Sequence, residues 1–360
     1  MTFDELLRIL VEKKGSDLHL IAGLHPAIRV HGKLVPLEDK ARLTPESAKD
    51  LIYSVLTPHQ KDCFEKDPET RNELDFGYGV PGVGRFRFNV HVQRGTIAAT
   101  VRALADKIPA MKDLGLPDSV GEFIKARRGL VLVTGPTGSG KSTTLASLID
   151  AVNRTRADHI ITIEDPVEYL HNSKKSYVTQ REVGNSGDTL SFRNALKYAL
   201  RQDPDVILIG EMRDYETIGI AITSAETGHL VFGTLHTSSA AQTVSRVVDV
   251  FPADQQPQVR IQLAANLIGV VSQVLLPRAD KTGRVLACEL MIANGAIRNN
   301  IRAGKVEAIS QTLQTSAAEG MQTMDQCLIR LCREGKVDYD TAAPYLHERT
   351  SHETIKAMRR

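Results

Sequence analysis

Residues Gly135–Ser142 read GPTGSGKS: two glycines five positions apart, then a lysine, then a hydroxyl residue. This is the spacing of a loop that cradles phosphates with backbone N–H groups. At ordinary residue frequencies a chance match in 360 residues is on the order of one per cent. The flanks agree, since Leu130–Thr134 (LVLVT) is an apolar run of strand length and Ser142–Asn153 has the composition of a helix. Such a strand, loop and helix direct successive N–H groups and the positive end of the helix dipole at an anion. The nucleotide-binding set is therefore Gly135, Pro136, Thr137, Gly138, Ser139, Gly140, Lys141, Ser142 and Thr143. Lys141 is expected on the outer phosphates of ATP, and Ser142 on a Mg2+ ion.

Composition narrows the setting. With 42% hydrophobic residues, 360 residues can fill two cores. The net charge of +2 gives no bulk case for nucleic acid. Cys63, Cys288, Cys327 and Cys332 form no CxxC pair, which argues against a zinc module or a disulfide scaffold and for a reducing, cytoplasmic setting. The start, FDELLRILVEKK, reads as an amphipathic helix rather than a signal peptide. The uncharged run Ile261–Pro277 is interrupted by Gln262, Asn266, Ser272 and Gln273, so it reads as a core helix plus a strand rather than a membrane span.

Along the chain, residues 1–105 read as an α+β module. Phe3–Lys14 has helical period, Asp17–Ile21 and Ala27–Val30 are strand-like, and Thr44-Pro45 starts a helix reaching Val55. Glu73–Arg102, alternating and rich in glycine turns, reads as an antiparallel meander. Its alternation puts Arg85, Arg87 and Asn89 on one face and Phe86 and Phe88 on the other. That arginine row is either a solvated face with acidic neighbours or a basic row aimed at a phosphate. Residues 106–115 (DKIPAMKDLG) form the expected linker. Across 116–292, apolar runs at 130–134, 159–163, 205–209 and 230–235 alternate with helical segments, which predicts an α/β fold with a parallel sheet covered on both faces. Residues 293–360 read as a helical C-terminal subdomain.

Ligands of such sheets bind at the carboxyl ends of the strands, and the chemistry-bearing residues fall there. Glu164 and Asp165 leave one apolar run; Glu211 leaves the next, after Gly210. Either glutamate could polarise an attacking water, and Glu211 also stands where an acidic residue holds Mg2+ or positions the nucleophile. His229 and His236 bracket the last run. Extended chain separates them by roughly 20 Å, too far to share one metal ion. His236, among Thr234, Thr237 and Ser238, is expected to sense phosphate; His229 is expected to support the site or an interface.

The text GPTGSGKSTT, TIEDPVEY, LRQDPDVILIGEMRD and TSAETGHLVFGTLHT resembles, in order, the Walker A, Asp, Walker B and His boxes of the secretion ATPase superfamily. GSDLHL, GRFRFN and the RNNIR element within Ala296–Arg302 make the chain similar to the branch that powers type IV pilus retraction. Asn300 and Ala303 depart from that branch's commoner AIRNLIRE wording. The resemblance implies a PAS-like N-terminal domain, a RecA-like P-loop ATPase domain and a homohexameric ring. It implies a motor whose partner is an inner-membrane pilus platform protein, with cytoplasmic, peripheral location and no nucleic acid. It also implies arginines at Arg87 and Arg102 that complete the site in trans or between domains, and a phosphate-facing Arg278.

Three other readings compete. A pilus or secretion assembly ATPase commonly carries an extra N-terminal domain and a four-cysteine insert, neither of which is seen here. A passive nucleotide switch does not need two acidic strand ends and arginine fingers. A nucleic-acid translocase calls for basic, aromatic loops, against near-neutral charge and no tryptophan.

Overall fold

The computed structural model describes residues 1–68, 71–104, 107–184 and 187–358. The chain divides into two compact units. The first comprises Met1–Lys107 with Asp165–Leu170 and Arg181–Ser191; the second holds the remainder. The boundary expected between residues 105 and 106 falls on residues outside those described.

The first unit is built on helix α1 (Phe3–Glu12), whose Phe3, Leu6, Leu7 and Leu10 form one buried stripe behind a Thr2–Glu5 capping box. Strands β1 (Asp17–Leu20), β2 (Ala27–Val30) and β3 (Lys33–Pro36) follow. Helices α2 (Pro45–Tyr53) and α3 (Pro58–Lys66) each start at a Thr-Pro pair with a capping box. The meander β4 (Glu73–Val80), β5 (Gly84–Gln93) and β6 (Thr96–Ala103) completes a six-stranded sheet of order β3-β2-β1-β6-β5-β4. On β5, Phe86, Phe88 and Val90 are buried against α1 and its neighbours, while Arg87 is exposed. The two-residue period sorts the faces as the alternation requires.

The second unit opens with a 3-10 turn, Met111–Asp113, inside the expected linker, and a longer one at Asp118–Lys125. It continues with β7 (Gly129–Thr134), α4 (Lys141–Thr155), β8 (His159–Glu164), β9 (Tyr177–Glu182, of which Arg181 and Glu182 are counted with the first unit), α5 (Phe192–Ala199), β10 (Val206–Ile209), α6 (Tyr215–Glu226) and β11 (Leu230–Leu235). Helices α7 (Ala240–Asp249) and α8 (Gln256–Asn266) lead to β12 (Leu267–Pro277) and β13 (Arg284–Ile292). The end is helical: α9 (Gly295–Arg302), α10 (Glu307–Thr315), α11 (Met324–Arg333), α12 (Tyr339–Ala342) and α13 (Arg349–Met358).

The seven-stranded sheet runs β13-β12-β7-β11-β10-β8-β9. Strands β12, β7, β11, β10 and β8 are mutually parallel, and β7, β10 and β11 are buried along their whole length. The four apolar runs expected to lie parallel do so, and β13, which pairs antiparallel to β12, makes the whole sheet mixed. The physical reason is the short 278–283 turn, which returns the chain directly and leaves no room for the crossover a parallel pair needs.

Candidate active site

Thr134, the last residue of β7, stands opposite Leu235, the last residue of β11, and opposite Ser272 in the middle of β12, so the ends of β7 and β11 meet beside a strand that runs on past them. The loop leaves Thr134 with Gly135, Gly138 and Gly140 at φ values of +141°, +78° and +90°. L side chains rarely adopt such angles, and the sequence spends glycine at each. At Gly135 the requirement is also spatial, because a Cβ there would lie 2.1 Å from the Gln273 carbonyl oxygen. Among the described residues nothing lies within 4 Å of the corresponding point on Gly138, so that turn of backbone is open to a close-approaching ligand.

Helix α4 begins at Lys141 with no side-chain cap on its first N–H groups. The start of a helix directs its first-turn N–H groups and the positive end of its dipole toward an anion. Lys141 Nζ donates to the carbonyls of Gly135 at 2.8 Å and Pro136 at 3.1 Å, which places its ammonium over the loop. Ser142 is exposed and Thr143 partly so at the same helix start. The backbone conformation, the open glycine, the ammonium and the helix end suit a polyphosphate, and the exposed Ser142 hydroxyl is the type of oxygen ligand that Mg2+ takes.

The acidic residues arrive on neighbouring strands. Glu164 ends β8, and its Oε1 accepts from Thr162 Oγ1 at 2.7 Å and Gln180 Nε2 at 3.0 Å. Glu211 follows β10 after Gly210, where a Cβ would meet the Ile163 carbonyl oxygen at 3.1 Å. Arg213 Nη2 donates to Glu211 Oε2 at 2.6 Å, and His236 Nε2 lies 2.8 Å from Glu211 Oε1. The Arg213 guanidinium holds the Glu211 carboxyl below its usual range; partial burial opposes this, and His236 adds to the lowering. Glu211 is therefore ionised at neutral pH. Asp214 is committed elsewhere, capping α6 through Thr217 N at 2.8 Å.

The two histidines part company. His236 follows the carboxyl end of β11, half exposed, at the same sheet edge as Thr134 and Glu211. His229 precedes β11; its carbonyl accepts from Gly129 N at the start of β7, and its Nδ1 lies 2.9 Å from the Ser224 carbonyl oxygen. It belongs to the opposite edge of the sheet, so the structure does not bring it together with Glu211 and Lys141.

Arg278 follows β12, its Nη2 3.2 Å from Asp280 Oδ2, and lines a cavity of about 450 Å3 together with Gly140, Thr143, Gln273, Leu275 and Arg284. In the first unit, Arg87 stands across from Arg102 in the β5–β6 register, and Arg102 from Asp17 in the β1–β6 register. Arg102 Nε donates to Asp17 Oδ1 at 2.9 Å. Arg85 is held at 2.7 Å by Glu182, a residue of the same unit, whose Oε1 also accepts from Gly77 N at 2.9 Å. Of that arginine row, Arg85 thus has its acidic neighbour. Arg87 is exposed and has no carboxylate partner among the described residues.

Two residues outside the expected site set act on its carboxylates: Gln180, which fixes Glu164, and Arg213, which follows Glu211 in the sequence and charges its setting. Arg213 lies within the Walker B text and could have been taken from it; Gln180 carries no local signal.

A seven-stranded sheet with a phosphate loop, two carboxylates and a histidine at the carboxyl ends of its strands defines a P-loop nucleotide-binding protein of the α/β class. The chain belongs to the type II/IV secretion system protein family, whose model matches residues 99–341. It is 49% identical to a type IV pilus retraction ATPase, PilT, of Pseudomonas aeruginosa, over 95% of this chain and 97% of that one. It is 48% identical to a twitching motility protein of Neisseria gonorrhoeae, over 89% of this chain and 84% of that one. Among solved structures, the pilus retraction motor PilT with bound ADP superposes with a TM-score of 0.90 at 50% identity, covering 98% of this chain and 99% of that one.

Proposed function

We propose that this chain is an ATP-hydrolysing motor that drives type IV pilus retraction and hence twitching motility. The observation that carries the reading is the gathering of Lys141, Ser142, Glu164, Glu211 and His236 at the carboxyl end of the sheet, in a chain 49% identical to a retraction ATPase over 95% of this chain and 97% of that one. Loop N–H groups and Lys141 bind and orient the phosphates. Ser142 and Glu211 would hold Mg2+, which when bound supplies positive charge against the phosphate oxygens. One of Glu164 and Glu211 polarises the attacking water, and both are hydrogen-bonded at the strand ends. His236, through Glu211, reads whether the outer phosphate is present.

In this reading the first unit is the PAS-like domain and the second the RecA-like domain with its helical end, and six copies form a ring. Arg87 and Arg102, supplied by a neighbouring subunit, neutralise charge as it develops on the transferred phosphoryl group, and Arg278 adds to the positive lining beside the loop. His229, at the far sheet edge, serves an interface. No described helix is long and apolar enough to cross a membrane, in keeping with peripheral docking on an inner-membrane platform protein.

The first test is steady-state ATP turnover. Lys141→Ala is expected to reduce it to background, and turnover within about twofold of the parent would end the catalytic reading.

A further inference from the structure

We propose that Gln273, on β12, holds the phosphate loop in its binding conformation, making it a positioning residue outside the loop's own motif. The proposal rests on the nucleotide-binding reading above.

Gln273 follows the Ser272–Thr134 pair in the β12–β7 register and is 2% exposed. Its Nε2 donates to the Ser139 carbonyl at 2.8 Å, and its Oε1 accepts from Thr144 Oγ1 at 3.0 Å. The amide orientation is fixed by chemistry: a carbonyl oxygen can only accept, so the NH2 end must face Ser139. Ser139 C=O and Gly140 N–H belong to one planar trans peptide and point in opposite directions. Drawing the oxygen toward β12 therefore turns the Gly140 N–H away from it, out to the side that a phosphate approaches.

The same residue grips the loop's first glycine. A Cβ on Gly135 would sit 2.1 Å from the Gln273 carbonyl oxygen, so the backbones of loop and strand are already in contact there. One residue thus sets both ends of the Gly135–Gly140 segment. The Thr144 bond extends the hold into the first turn of α4, where Thr144 N donates to Gly140 O at 3.0 Å. Within the loop, Ser139 N donates to the Pro136 carbonyl at 3.2 Å, a bond that spans the turn without reaching the sheet. The Ser139 hydroxyl is buried without a hydrogen-bond partner among the described residues. The Lys141 bonds to Gly135 and Pro136 are local and cannot register the loop against the sheet. The hydroxyl pair one residue earlier, Thr134 Oγ1 and Ser272 Oγ at 2.8 Å, locks β7 to β12 and keeps Gln273 level with the loop.

The experiment is ADP binding by the purified full-length protein, followed by titration calorimetry, with ATP KM and melting temperature measured alongside. Gln273→Met keeps the shape and removes both hydrogen bonds; Gln273→Glu keeps the acceptor for Thr144 and sets a carboxylate oxygen against the Ser139 carbonyl. Both are expected to weaken ADP about tenfold or more, Thr144→Val about fivefold, and Thr144→Ser less than about twofold. ATP KM should rise in the same order. A role in stability alone would lower the melting temperature without that order. A folded Gln273→Met protein binding ADP within about twofold of the parent would overturn the proposal. If that variant does not fold, the threonine pair decides, and equal affinities of Thr144→Val and Thr144→Ser overturn it. Lys141→Ala is the control: unchanged ADP binding there would instead overturn the nucleotide-binding reading.

Discussion

Glu211 is held from both sides, by the Arg213 guanidinium on one oxygen and His236 on the other, so its geometry is set before any substrate arrives. Glu164 is held just as directly by Thr162 and Gln180. Replacing each in turn by glutamine keeps the shape and removes the base. The residue that polarises water is expected to lose turnover by on the order of 100-fold or more while ADP affinity stays within about threefold. Loss of similar size at both positions, with binding intact, would mean that neither acts alone. A different side chain contributes to acid stability. His171 is buried, and burial pulls its pKa down to about 4 from the ordinary 6.5; nearby Asp150 opposes the shift and Lys174 reinforces it. The unfolded chain takes up a proton below about 6.5 that the folded chain refuses, so stability falls as pH drops from about 6.5 to about 4 and levels off below. Between pH 7.5 and pH 5 this amounts to at most about 2 kcal/mol. Urea unfolding at the two pH values is expected to show His171→Gln losing less stability than the parent. The residues legible in the sequence were those in contiguous text, from Gly135 to Thr143 and from Glu211 to His236. Gln273 was visible only as one of the polar breaks in an apolar run. Its bonds to Ser139 and Thr144 close over more than a hundred residues, which no local pattern encodes.

At the scale of elements, the runs at 130–134, 159–163, 205–209 and 230–235 correspond to β7, β8, β10 and β11, because a strand buried on both faces reads as continuous apolar text. The Thr44-Pro45 start of α2 was legible through its cap. The same signature recurs at Thr57-Pro58, where Thr57 and Gln60 form the box of α3; only the polar composition of that helix hid it. Strand β3 escaped because all four of its residues are exposed, leaving no alternation to read. Strand β13 is apolar enough to read, but its antiparallel return depends on the preceding turn. Thr57→Ala removes a cap on an element that sequence alone did not reveal. It is expected to cost about 1 kcal/mol in urea unfolding, the same as Thr44→Ala, with ATP turnover unchanged. A cost below about 0.2 kcal/mol would show that α3 is held by packing alone.

For the whole molecule, the sequence separated a module rich in alternating strands from a phosphate-loop sheet, and the described structure contains two compact units. It could not show that Asp165–Leu170 and Arg181–Ser191 belong with the first unit, because their membership follows from tertiary contacts such as Arg85–Glu182. The proposed ring makes a separable demand on the first unit. Arg87→Ala is expected to keep ADP affinity while losing turnover by on the order of 100-fold. Arg102 is ion-paired through Nε with Asp17, so in the proposed ring Asp17→Asn is expected to alter turnover without altering ADP affinity. The most direct measurement of the central claim is pilus retraction in a type IV piliated strain lacking its own retraction ATPase, complemented with this chain or with its Lys141→Ala variant. Retraction restored by the parent and not by the variant is the expected result. Retraction restored equally by Lys141→Ala, or pili that the parent extends but never retracts, would contradict it.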